Sequence, residues 1–199
     1  MSVLIAMISF SLVMSISPGP VNMITMSIGA ASGSRKALPF VSGATIGFTM
    51  LLLVIGVGLG EFATNAPYFM AVLNVIGTGF IVYIGYKIAT SDSNLKMIDD
   101  NLPNFTHGFL LQWLNPKAWA ACFAGVALFS SPDSNGPLYT FVSIYLVICF
   151  VGIGSWAVLG DKALSLIKHP TGIKYFNHLM GGTLIAVALL LLRFPFHKH

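Results

Sequence analysis

The chain has 199 residues, 56% of them apolar and only 8% charged, with a formal net charge of +4 and a mean hydropathy of +0.85. An average soluble domain is about a quarter charged, so this composition cannot supply a water-facing surface. A soluble enzyme, a disordered regulator and a secreted disulfide scaffold are excluded; an integral membrane protein remains.

Six apolar runs are long enough to cross a bilayer, which takes about 20 residues per helix. The first covers Leu4 to about Ala31 and is interrupted at Pro18-Gly19-Pro20. It has no basic leader and no small-residue cleavage site, so it reads as a spanning helix rather than a cleaved signal. The second is Leu38 to Gly60 and the third Pro67 to Ala89. The fourth, Phe105 to Phe129, is interrupted at Asn115-Pro116-Lys117. The fifth is Pro137 to Gly160 and the sixth Tyr175 to Leu192. The first and fourth exceed one span, which suits two half-helices joined at a break. The alternating ten-residue segments of a membrane barrel are absent. The expected fold is therefore all-α, with helices 1 and 4 broken.

The connections are short. The longest, Thr90 to Asn104, carries Asp92, Lys96, Asp99 and Asp100. Residues Lys162 to Lys174 mix apolar Leu164, Leu166 and Ile167 with three lysines, a pattern that allows a partly interfacial helix. Loops 1–2, 3–4 and 5–6 hold seven Lys and Arg residues; the opposite side holds only Arg193 and Lys198. The positive-inside bias then places both termini outside the cytoplasm. It also explains the basic balance without a nucleic-acid partner.

The two halves resemble each other. Pro18 and Pro116 lie 98 residues apart. Phe40-Val41-Ser42 recurs as Phe141-Val142-Ser143 after 101 residues, and Leu59-Gly60-Glu61 as Leu159-Gly160-Asp161 after 100. Asn74 precedes Gly77 as Asn177 precedes Gly181. A three-helix unit ends on the side opposite its start, so a following copy enters inverted. Inverted three-plus-three repeats with broken helices meeting near the midplane belong to transporters. One domain, residues 1–199, is expected, with repeats of about 1–95 and 103–199.

The breaks carry the chemistry. Pro18 and Pro20 lack N–H groups and would free the carbonyls of Met14 and Ile16. Gly19 loosens the backbone, and Asn22 offers an amide within a turn. Pro116 frees the carbonyl of Gln112 and pushes Asn115 out of the helical region. Such groups are tolerated at membrane depth only against protein or water. Lys117 lies roughly 18 Å along its helix from Phe105, near mid-bilayer, where a lysine costs about 2.5–3.5 kcal/mol. Freed carbonyls, or the carboxylate of a bound solute, are its candidate partners; a simple kink and a snorkelling lysine are the plain alternatives. The substrate site expected from these residues is Pro18, Gly19, Pro20, Asn22, Gln112, Asn115, Pro116 and Lys117. Freed carbonyls and the Asn amides would take a substrate ammonium, and half-helix N-termini with Lys117 its carboxylate. Proton coupling needs a titrating group; Lys117 is the first candidate and Asp161 the second.

Ser17-Pro18-Gly19-Pro20-Val21-Asn22 followed by Gly33, Arg35, Gly43 and Gly47 resembles the start of the LysE/RhtB amino-acid exporter family. Gly108-Phe109-Leu110-Leu111-Gln112-Trp113-Leu114-Asn115-Pro116-Lys117-Ala118 is similar to its second hallmark. Tyr83-Ile84-Gly85-Tyr86-Lys87, and Trp156-Ala157 with Gly160, fit as well. The resemblance covers nearly the whole chain. It implies a six-helix inner-membrane exporter of amino acids or close derivatives, driven by the proton-motive force.

The remaining residues have plainer readings. Gly43 with Gly47 and Gly56 with Gly60 are small-xxx-small pairs for helix packing; Gly152, Gly154, Gly181 and Gly182 read the same way. Trp113 and Trp156 could line a cavity or pack. Asn74 suits an interhelical hydrogen bond. Glu61 and Asp161 are gate candidates or ordinary interfacial acids. Cys122 and Cys149 form no paired-cysteine motif, and His107, His169, His178, His197 and His199 show no metal-ligand spacing, so no metal or other cofactor is expected. No P-loop occurs, so ATP is not the direct fuel. Export of a metal cation or other small solute is the nearest competing function. It would need acidic or thiolate ligands at mid-membrane. An intramembrane enzyme would need a nucleophile–base set, and a non-transporting assembly subunit would not need matched breaks. Glycine-rich faces permit a homodimer.

Overall fold

Two prolines set the course of the first helix. In the computed structural model, which describes residues 2–59, 67–90, 102–131, 134–166 and 170–193, helix α1 (Ser2–Ile16) stops ahead of Pro18 and α2 (Pro20–Ser32) restarts on Pro20. The two halves meet at a 60° bend. Pro20 sits in the first turn of α2, where its missing N–H leaves no bond unmade and its fixed φ already suits a helix. Gly33 ends α2 at φ 90°, a conformation that costs a side-chain-bearing residue and is open to glycine. A 3₁₀ turn (Ser34–Ala37) leads into α3 (Leu38–Val54), which loosens into a π turn over Ile55–Leu59.

Helix α4 is Pro67–Ala89, with the bounds expected from the sequence. The fourth apolar run divides into α5 (Phe105–Trp113) and α6 (Pro116–Phe129). Asn104 and His107 form a reciprocal capping box at the start of α5. Helix α7 (Gly136–Leu166) is followed by α8 (Pro170–Arg193). The stretch Lys162 to Lys174, expected to lie partly as an interfacial helix, is divided between the end of α7 and the start of α8, with residues 167–169 outside those described. Lys162-Ala163-Leu164-Ser165-Leu166 contains no breaker, so α7 runs on through it, and α8 begins at Pro170, whose ring disfavours helix in the residue before it. Among the described residues the chain is all helical: eight α-helices and no strand.

Segments Ser34–Gly58 and Gly136–Ala163 are each long and apolar enough to cross a membrane, and the bent α1–α2 pair makes a third. Helices α4 and α8 run 23 and 24 residues. Apolar side chains such as Val13, Val57, Val75, Leu128, Val147 and Val151 stand exposed on the outside. Lipid tails are as apolar as these side chains, so close packing rather than water exclusion must join the helices.

Close packing is what the helix pairs show. Helix α3 lies along α5, α2 along α7, and α4 along α8, while α7 also contacts α1 and α3. At three crossings glycines let backbone touch backbone reciprocally. Gly29 of α2 faces the Ala157 carbonyl of α7, and Gly160 of α7 faces the Met26 carbonyl of α2. Gly43 of α3 faces the Phe105 carbonyl, and Gly108 of α5 faces the Phe40 carbonyl. Gly85 and Gly181 meet between α4 and α8. The packing role expected of Gly43, Gly47, Gly152 and Gly181 therefore holds, but Gly154 and Gly182 have nothing within 4 Å of a would-be Cβ. An aromatic cluster fills the centre: Phe48 stacks on Tyr145 at 4.3 Å, and Phe141 meets Tyr145, Phe129 and Phe10 edge-on or tilted.

Candidate functional site

The second break is a helix start written in sequence. Asn115 is the N-cap of α6, its Oδ1 accepting the Lys117 N–H at 3.1 Å, and Pro116 occupies the first position. Cap plus proline is the preferred opening of a helix. The Asn115 carbonyl takes the Ala118 N–H at 2.9 Å. Gln112 does not leave its carbonyl free: the Asn115 N–H reaches it at 3.3 Å. The Leu114 carbonyl seats against the Gly77 backbone of α4.

From this opening Lys117 reaches across to the first break. Its Nζ donates to the Ser17 carbonyl at 3.0 Å, the Ser17 hydroxyl at 2.8 Å and the Pro18 carbonyl at 3.1 Å. A Cβ on Gly19 would stand 3.0 Å from that ammonium, so the glycine clears the path. The other carbonyls of the break are also met. Asn22 Nδ2 donates to Ser15 O at 2.8 Å and Ser17 O at 2.9 Å. Trp156 Nε1 donates to Ile16 O at 3.1 Å, and Ser17 Oγ to Met14 O at 3.1 Å. The expectation that freed carbonyls stand open to a substrate ammonium is corrected: side chains from α2, α6 and α7 already hold them, because carbonyls left bare at membrane depth would be costly.

What the first break leaves uncapped is donors. No side chain caps α2, whose N-cap is the extended Gly19. Pro20 has no N–H, and the Gly19 carbonyl takes the N–H of Met23. The amides of Val21 and Asn22 thus form a helix N-terminus with its partial positive charge.

A cavity of about 40 Å³ lies at this meeting point. Gly19, Pro20, Asn22, Gln112, Asn115 and Lys117, all expected from the sequence, line it. Pro18 contributes through its carbonyl, and Pro116 is buried at the start of α6. Ser15, Phe48, Tyr145, Cys149 and Ile153 also line it and were not anticipated. The only hint of them in sequence is the four-residue spacing of 145, 149 and 153, one stripe of α7. Lys117 is the lining residue with a full charge, and no carboxylate lines the cavity among the described residues. The volume suits a few waters, so an amino acid enters only if the helices move.

Trp113 and Trp156 do not line the cavity; Trp156 supports the first break, and Trp113 supplies the carbonyl held by Trp119 Nε1 at 2.8 Å. Asp161 is not brought to it either. Its Oδ2 accepts the Ser34 N–H at 3.0 Å, pinning the α2–α3 connection at the far end of α2, about 20 Å away by helical rise. Replacing Asp161 with Ala should lower stability by about 0.5–1 kcal/mol, as loss of an exposed cap does, and leave substrate affinity unchanged; thermal unfolding and transport KM check both. Glu61 and the loop carboxylates Asp92, Asp99 and Asp100 lie outside the described residues, as do His169, His197, His199 and the side chain of Asn74.

A half-helix N-terminus, a cavity between broken helices and a half-buried lysine meet here, a combination suited to a membrane protein that translocates a solute. The profile of the LysE type translocator family matches residues 12–194, and the chain belongs to that family. It is 24% identical over 164 residues to the "Cysteine/O-acetylserine efflux protein" of Salmonella paratyphi A, covering 81% of this chain and 84% of the relative. The protein of the same description from Escherichia coli O1:K1 is 25% identical over 163 residues, covering 80% and 83%. No solved structure matches.

Proposed function

We propose that the chain is a proton-driven secondary exporter of small amino acids or close derivatives in the bacterial inner membrane. It works as one domain of two inverted repeats, about 1–95 and 103–199, with both termini outside the cytoplasm. The observation that carries this reading is the reach of Lys117 from the opening of α6 to three oxygens of the α1–α2 break, beside an uncapped helix N-terminus. Family membership and the efflux names of the relatives support amino-acid-type export. Matching restarts on Pro20 and Pro116 support the repeat.

The mechanism follows from what Lys117 holds. A substrate carboxylate entering the cavity meets the Val21 and Asn22 amides and the ammonium together. Lys117 then exchanges three neutral oxygens for an anion, and charge-assisted bonds are roughly twice as strong as neutral ones. The strap between α6 and the first break loosens only when substrate is present. Binding is thereby tied to the rocking of one repeat against the other, and the substrate carboxylate supplies the counter-charge that no lining residue supplies among those described. Proton release or uptake at Lys117 would tie the cycle to the pH gradient, with Asp161 the second candidate.

Counterflow of the twenty amino acids in proteoliposomes, with and without a pH gradient, tests the proposal. The expected result is exchange of a small neutral amino acid, accelerated by the gradient. Absence of flux for every amino acid from correctly inserted protein would return the chain to the class of assembly subunits.

A further inference from the structure

The contacts at the breaks answer only one end of an amino acid. Lys117 and the α2 N-terminus are both positive, so they attract a carboxylate and repel an ammonium. The break carbonyls suited to an ammonium are already held by Asn22, Trp156, Ser17 and Lys117. Acceptors for the ammonium must therefore be other oxygens that face the cavity.

Two buried amides supply them, one at each break. Asn22 and Gln112 both line the cavity, and each is 4% exposed. Asn22 Nδ2 donates to Ser15 O at 2.8 Å and Ser17 O at 2.9 Å. A carbonyl only accepts, so the nitrogen of this amide must face the break, and Oδ1 is turned away from it. Gln112 stands one turn beyond Gly108, the residue whose Cα lies against the Phe40 carbonyl of α3, and that register points it inward. Its backbone carbonyl takes the Asn115 N–H; its side-chain amide is what remains open. Among the described residues neither Asn22 Oδ1 nor the Gln112 amide has a hydrogen-bond partner. A buried amide costs free energy unless it is bonded. Water in the cavity can serve both oxygens while the site is empty, and a ligand with several donors can serve them better.

Resting on the exporter reading above, we infer that Gln112 Oε1 and Asn22 Oδ1 form the subsite for the substrate's α-ammonium, and that the site thereby selects α-amino acids over the matching α-hydroxy acids. An ammonium brings three donors and a charge, so it reaches both oxygens at once through charge-assisted bonds. A hydroxyl brings one donor and no charge, and leaves one amide unmet. Neutral acceptors suit this place. A carboxylate beside Lys117 would pair with the lysine and compete with the substrate for it, and no carboxylate lines the cavity among the described residues. Since each break contributes one oxygen, the bound ammonium links the same two breaks that Lys117 straps together in the empty site.

The amino acid moved fastest in the counterflow screen is paired with its 2-hydroxy analogue, lactate for alanine or glycerate for serine. Both are measured in proteoliposomes of the parent, Gln112→Met and Gln112→Glu. The parent should move the amino acid at least about tenfold faster than the hydroxy acid, and Gln112→Met, similar in length but without the acceptor, should shift that ratio about tenfold toward the hydroxy acid, the scale of one bond to a charged group. Gln112→Glu keeps the shape with a charged acceptor and should shift the ratio the other way; any competition for Lys117 slows both probes alike. Removing an unbonded amide deletes an unmet burial cost, so methionine does not threaten folding. A purely structural role would lower both fluxes together and leave the Gln112→Met ratio at the parent's value, which overturns the subsite. Should Gln112→Met fail to insert, an unchanged or lowered ratio in Gln112→Glu overturns it instead. A parent that exchanges amino acids but treats the pair alike overturns the subsite and leaves the exporter reading standing. A parent that exchanges no amino acid overturns both.

Discussion

Lys117→Met should insert and fold yet lose driven export by at least about tenfold, and by as much as a hundredfold. The lysine is the point where the two breaks are joined: its ammonium donates to Ser17 O, Ser17 Oγ and Pro18 O from a helix 100 residues away in sequence. A hydrogen bond to a charged group is worth about 1.5–3 kcal/mol, and methionine offers none to either the break or a substrate carboxylate. The folded state tolerates the loss better than transport does. Ser17 O keeps its bond from Asn22, the Asn115 cap uses the backbone N–H of residue 117 rather than its side chain, and the methionine stem fills much of the same space. Lys117→Arg keeps the charge, but its planar fork presents donors differently from an ammonium, so its export should fall between parent and methionine. Initial counterflow rates set beside thermal unfolding midpoints separate the two effects. Export by Lys117→Met at the parent rate would remove the ammonium from the transport cycle.

How much of this was legible in advance depends on the range of the interaction. Both breaks were readable because proline acts locally: it lacks a donor and constrains the residue before it. Pro20 and Pro116 each open a helix. The helix bounds of Pro67–Ala89 follow from one apolar run. The stopping point of α7 was misread because lysine was taken as a sign of an interface, whereas a helix continues through lysine until something breaks it. Six of the site residues could be named because they flank the breaks. Freed carbonyls were foreseen as partners for Lys117, and it does hold two at the first break; which carbonyls it meets, and what holds the others, could not be named. Pairings such as Trp156 with Ile16 O or Lys117 with Ser17 depend on which segments meet across more than 90 residues of chain, and spacing does not encode that.

Gly29→Ala and Gly160→Ala should each destabilise the protein by about 1–3 kcal/mol, the usual cost of forcing extra atoms into a packed interior. Each of these glycines places its Cα against a carbonyl of the facing helix, Ala157 O and Met26 O respectively. A methyl group there collides with backbone, which cannot swing aside as a side-chain tip can. Relief requires α2 and α7 to separate along their length, and in a bilayer no gain from excluding water draws them together again. Gly154→Ala and Gly182→Ala provide the contrast. Neither would-be Cβ meets an atom within 4 Å, and both lie within helices, where alanine is favoured over glycine by up to about 1 kcal/mol. These two variants should unfold at or above the parent temperature while the first two unfold well below it. If all four behave alike, the α2–α7 crossing is looser than backbone contact. The contrast also bears on transport. Backbone contact at Gly29 and Gly160 leaves no side chain between the helices at the crossing itself, which opposes sliding of α2 on α7. On the exporter reading, the uncapped N-terminus at Gly19 is expected to move together with the helix that carries Tyr145 and Cys149.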